Sequence, residues 1–360
     1  MPLAEIWNKI STTGSFRPAR IAIQPENTKR SLFKKEAFER HKHYFEVVVN
    51  EMYLSYERKW FKSYDPLVFV TSGFLYKGEM VEIPFLVGPQ MLKNKMGSEA
   101  KGMIFENTLV AGLHPYRGGN FKINIMLGRM VTNNYLKKVI TILEDASGTY
   151  PGAFARSIDP YIKVAKIIIK GLEDLFDSGD IESLIGHSNS FLTSSNNEFK
   201  PGFFALINKD ENEVNPDEFF VIDKKLHFGS TMDTAKPFRE DDYVLYSIVS
   251  SIERNDIELL PFYDQFTSLQ KIITDMGIQI GDDEKNILNG KLFSLIDTVR
   301  MSPDVVREQV EQIILEFRTD IKKMIDDRRP LSGSKTLPPD KRDEWDKKLD
   351  AELLSILKNS

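Results

Sequence analysis

Residues 67–87 read LVFVTSGFLYKGEMVEIPFLV. Two runs rich in β-branched and aromatic residues, Leu67 to Tyr76 and Glu79 to Val87, flank the short turn Lys77-Gly78. Such runs joined by a glycine-containing loop predict a β-hairpin. Pro84 has no N–H to give a ladder, so it belongs on an edge strand or at a bulge. Working outward, further strands are predicted at Tyr44 to Tyr56, Met103 to Leu113 and Asn120 to Met130. In the last of these Phe121, Ile123, Ile125 and Leu127 alternate with Lys122 and Asn124, which buries one face and wets the other. Gly202 to Asn208, Glu218 to Phe228 and Asp242 to Arg254 read as three more strands.

Two helices interrupt this β-rich stretch. Tyr135 to Ala146 sets Leu136, Val139, Ile140 and Leu143 on one face, and Ser147-Gly148 ends it. A second starts after Asp159 with Pro160 at its first position and runs to about Phe176. Its apolar residues cover most of its circumference, which suits a helix laid against the sheet. Residues 177–200 read as loop. From Pro261 onward the period is helical, with segments at about Phe262–Asp275, Asp283–Val299, Pro303–Asp327 and Asp340–Lys358.

The fold class is therefore α+β. A β-rich body, either a curved antiparallel sheet or a sandwich with one or two covering helices, precedes an α-helical C-terminal region. The expected domains are an N-terminal extension (1–40), the β-rich domain (41–255), a helical domain (256–330), and a linker with an amphipathic C-terminal helix (331–360).

The chain has 360 residues, 41% hydrophobic and 28% charged, which is a globular composition. It has no cysteine, which removes disulfides, thiolate nucleophiles and cysteine-ligated metals. No basic region followed by an apolar stretch opens the sequence, and no run is long enough to span a bilayer, so a cytoplasmic location is expected. Residues 1–150 carry 21 Lys and Arg against 14 Asp and Glu, and the remainder 27 against 39. A basic first half allows weak contact with an anionic membrane surface.

The motifs are sparse. Gly186-His187-Ser188-Asn189-Ser190 approaches a nucleophile elbow but has serine where the second glycine is needed. His41 and His43 are spaced i, i+2, which on a strand would aim both at one face, but nothing nominates a third metal ligand. His114-Pro115-Tyr116-Arg117-Gly118-Gly119 joins two strands with a hydrogen-bonding cluster. The acidic stretch Asp210 to Glu218 departs from the EF-hand loop at Asn215 and Val221, where glycine and glutamate are required. Tyr56 to Tyr64 interleaves bases with aromatics, but the chain is acidic overall and has no nucleic-acid module, which argues against that partner. No phosphate loop or dinucleotide fingerprint is present, and no cofactor is expected.

Two helical stripes stand out. Val306, Val310, Ile313, Phe317, Ile321 and Met324 recur by threes and fours, with Ser302 as the expected cap and Pro303 at the first position. Beyond the linker, Trp345, Leu349, Leu353 and Ile356 form another on a charged helix. Such a helix can dock on its own domain or in a partner's groove. The leading expectation is a non-catalytic interaction or scaffold protein that meets another protein or a second copy through Trp345, Leu349, Leu353, Ile356, Val310, Ile313 and Phe317, with loops such as 113–120 as further contacts. The alternative is a hydrolase whose dispersed residues (His114, His187, Ser188, Asp159) meet only in the fold.

Overall fold

The computed structural model describes residues 7, 18–29, 37–55, 58–59, 62–87, 105–131, 170–171, 174–175, 178–179, 181–191, 200–275 and 282–327. The chain divides into two units, 1–256 and 257–360.

The first unit is a β-sandwich. One sheet contains β1 (Pro18–Ala22), β9 (Gly202–Asp210), β13 (Tyr243–Ser251), β2 (Tyr44–Tyr53) and β6 (Phe105–Pro115), in that spatial order and antiparallel throughout. The other contains β3 (Arg58–Lys59), β4 (Lys62–Tyr76), β5 (Glu79–Val87), β7 (Phe121–Val131) and β8 (Ile181–Phe191), with β4 pairing β3, β5 and β7, and β7 pairing β8. The hairpin expected at residues 67–87 is β4–β5, closing at Lys77-Gly78, where both residues take positive φ. Pro84 stands on β5, whose pairing among the described residues is with β4 alone, so its missing N–H breaks no interior ladder.

Alternation places the core. Phe45, Val47 and Val49 of β2, with Leu206, Val244, Tyr246 and Ile248, meet Val68, Val70 and Phe74 of β4 and Ile123, Ile125 and Leu127 of β7. Phe45 lies at the centre, edge-on to Phe121 at 4.7 Å and to Phe74 at 5.6 Å. The far face of the first sheet is covered in part by a three-stranded sheet of β10 (Phe219–Ile222), β11 (Lys225–Phe228) and β12 (Lys236–Pro237). Phe219, Val221, Leu226 and Phe238 pack there on Ala19, Ile21, Phe203, Ala205 and Leu245.

Four expectations change. Residues 181–191 form a strand, not a loop: pairing along β7 holds them, and Ile185 and Phe191 reach the core although glycine, serine and asparagine give the segment little β propensity. Residues 218–228 are two strands, because Asp223 and Lys224 both adopt left-handed φ (49° and 63°) and turn the chain back on itself. Pro18–Ala22 is a strand of the first sheet, so the N-terminal region contributes directly to the sandwich. His41 sits in a turn at φ 67°, outside β2, so His41 and His43 do not share a strand face.

In the second unit α1 (Tyr263–Asp275), α2 (Asp282–Arg300) and α3 (Arg307–Asp326) pack around one core. The third begins four residues later than the sequence suggests. Its N-cap is Val306, without a side-chain capping bond, and Ser302 Oγ instead accepts the Asp304 N–H at 3.3 Å. The two helices expected at 135–146 and 160–176 lie outside the described residues, apart from Lys170, Gly171, Asp174 and Leu175, which are helical.

Candidate functional site

His114 lies near the end of β6, opposite Phe45 in register. Its ring stacks on Phe74 of the other sheet at 4.6 Å and 23°, and it is buried. Burial, then the nearby Arg254 guanidinium, pull its pKa down to about 3, so it is a neutral core aromatic at physiological pH. Its segment is tied down on both sides: Tyr116 N–H donates to His43 O and His41 N–H to Tyr116 O, both at 2.8 Å. Tyr116 packs against Phe38 at 5.8 Å, and residues 114–116 are buried, with Leu113 half-buried.

His187 and Ser188 follow one another on β8, opposite Ile125 and Asn124 respectively. Consecutive strand residues point to opposite faces, so Ser188 is exposed on the face away from the core and its neighbour's ring lies on the other side. Among the described strands β8 edges one sheet and β6 the other, and the order of strands sets them at opposite flanks, with β8 near β1 and β9 and β6 near β5. The fold therefore does not bring His114 and Ser188 together. Residues 186–190 lie within a strand, without the strand-to-helix turn that an elbow needs. Asp159, Trp345, Leu349, Leu353 and Ile356 lie outside the described residues.

The most developed polar arrangement is one the sequence did not single out. Glu51 of β2 is fully buried; its Oε1 accepts from Arg239 Nη2 and its Oε2 from the Leu226 N–H, both at 2.8 Å. Arg239 also donates to the Tyr243 hydroxyl and lies 5.1 Å from the Tyr53 ring centroid. Burial, then Glu51, push the Tyr243 phenol well above its usual range. Every strong group here has a partner, and the cluster pins β11 to the main sheet. Asp242 makes a similar tie, accepting from Ser55 N–H at 2.7 Å, Ser55 Oγ at 2.8 Å and Asn208 Nδ2 at 3.2 Å. These are fastenings of the fold, and none presents a reactive group to a cleft. Among the described residues, no three His, Asp or Glu side chains gather as metal ligands, and no helix is long and apolar enough to cross a membrane.

The helical unit shows a different feature. Val310, Ile313 and Phe317 of the α3 stripe are buried in their own core, with Phe317 stacked on Phe266 at 4.0 Å and 11°. That stripe finds its partner surface within the chain. On α2, Leu288, Leu292, Leu295, Ile296 and Val299 face the same core. Off that inward stripe, Ile287 and Phe293 are 53% and 49% exposed, and Met301, just past the helix end, is 82% exposed. Gly290, between Ile287 and Phe293 in sequence, is exposed, and among the described residues a Cβ built on it would meet nothing within 4 Å. The sequence signal was available: Ile287 and Phe293 fall off the inward stripe of a helix that needs only one apolar face.

No family model, no curated protein and no solved structure matches this chain.

Proposed function

We propose that the protein is a non-catalytic interaction protein that meets another protein, or a second copy of itself, through its C-terminal helical unit, with the outer face of α2 as the contact surface. One observation carries this reading: Ile287 and Phe293 of α2, and Met301 just past its end, are large apolar side chains left exposed and outside the core of their unit. A helix packed on one side ordinarily presents polar residues on the other, and grouped exposed apolar side chains mark interaction surfaces. Ile287 and Phe293 are already about half buried, so covering what remains of each gains about 1 kcal/mol, and covering Met301 about twice that. The burial of His114 as a neutral stacked ring and the outward exposure of Ser188 supply no reacting pair, which favours binding over hydrolysis. We place this function in the cytoplasm, in keeping with a chain free of cysteine.

Replacing Ile287, Phe293 and Met301 together by serine tests the reading. The variant should keep its far-ultraviolet circular dichroism and unfolding midpoint, since none of the three supports the core, and lose association in native size measurements. Association at wild-type strength would overturn the proposal.

A further inference from the structure

Resting on that reading, the geometry points to the occupant of the α2 face: a second copy of the same helix, running antiparallel about a two-fold axis between Lys291 and Leu292. The outward residues are arranged symmetrically about that midpoint. Asp283 and Arg300 are equidistant from it, as are Asn286 and Asp297, and Gly290 and Phe293. All six are exposed or lie on the exposed side. A two-fold axis across the helix therefore sets Asp283 of one copy against Arg300 of the other, and Asn286, a donor, against the carboxylate of Asp297. It also sets the Phe293 ring over the notch at Gly290. Each pairing occurs twice, and none opposes like charges. This self-complementarity is what an isologous contact requires.

Gly290 gives a second, independent argument. Glycine within a helix destabilises it by about 1 kcal/mol relative to alanine, and nothing among the described residues crowds the position. A glycine there makes sense where an outside group approaches the backbone closely, and Phe293 of the second copy is that group. Arg300 already lies 3.4 Å from Glu311 Oε1, but a guanidinium has five donors in all, so it can serve both carboxylates. A single helix pair buries less than the roughly 1,200 Å² of standard stable interfaces, so the dimer is weak and concentration-dependent.

Sedimentation of the purified full chain up to about 200 µM, a range that spans weak complexes, reads this out. The wild type should climb from the mass of one chain toward two. Gly290→Leu should stay monomeric while its unfolding midpoint rises, because the added side chain suits the helix and blocks only the neighbour. Asp283→Arg and Arg300→Asp should each weaken dimerisation about tenfold, and the double exchange should restore most of it, since the pair is re-formed with its signs reversed. Thermal melts of each variant confirm that it folds. A wild type that keeps one-chain mass throughout, or a double exchange no better than the singles, would overturn the second copy as occupant. If the serine variant still abolishes association with some other protein in that case, the interaction reading stands. If the face matters to nothing, both fall.

Discussion

Replacing His114 by phenylalanine should change how stability responds to acid. The ring stacks on Phe74 and lies edge-on to Phe45, so phenylalanine keeps the shape and the stack and removes only the titratable nitrogens. In the folded protein the imidazole has a pKa of about 3, against 6.5 as its ordinary value, because burial and then Arg254 disfavour the charged form. The unfolded chain therefore takes up a proton below pH 6.5 that the folded chain refuses until about pH 3, and stability falls as pH drops through that window. At pH 5 the unfolded histidine lies about 1.5 pH units below its pKa, and at 1.36 kcal/mol per unit the loss is about 2 kcal/mol. Contributions from other groups are common to both proteins and cancel in the comparison. Urea unfolding at pH 7.5, 6 and 5 should show the wild type losing about 2 kcal/mol more than His114→Phe over that range. Equal losses in the two proteins would refute the assignment of His114 as a buried neutral ring.

Three further outcomes follow from particular contacts. Glu51→Ala should destabilise the sandwich by about 3–5 kcal/mol in denaturant melts, since it leaves Arg239 and the Leu226 N–H without their buried carboxylate. Phe317→Ala should lower the stability of the helical unit by about 3–5 kcal/mol, by removing a ring stacked on Phe266. Replacing Asp223-Lys224 by Asn-Gly should raise the unfolding free energy in denaturant melts by up to about 1 kcal/mol, because those residues tolerate the left-handed φ that this turn imposes.

The strands that the sequence showed plainly were those whose own pattern is strong. Glu79–Val87 matches its predicted limits, and Phe121, Ile123, Ile125 and Leu127 face the core as read, but the other face is not wet: Met126 is buried there, as is Asn124, whose Nδ2 donates to Thr71 Oγ1 at 2.8 Å. Ile181–Phe191 was illegible because its residues favour turns, and only the ladder to β7, more than fifty residues back along the chain even at Arg129 to Glu182, makes it a strand. The hairpin at Asp223-Lys224 was hidden for a related reason: left-handed φ is expected of Asn-Gly, and here the fold imposes it on lysine. Stripe spacing showed that α3 is amphipathic but not what it packs against, which is the chain's own α1 and α2. The Glu51–Arg239 tie joins residues 188 positions apart and had no local signature. The α2 face was readable in principle, as apolar residues in excess of one stripe.

A photo-crosslinking residue placed at Phe293 in the living cell reads out whether the α2 face is occupied, with Lys236, exposed on the other unit, as the comparison site. Position 293 should give a discrete protein adduct, at twice the chain's mass where the second copy is the occupant, and position 236 none of that intensity. Irradiation that leaves position 293 as free of adducts as the comparison site would contradict that occupancy.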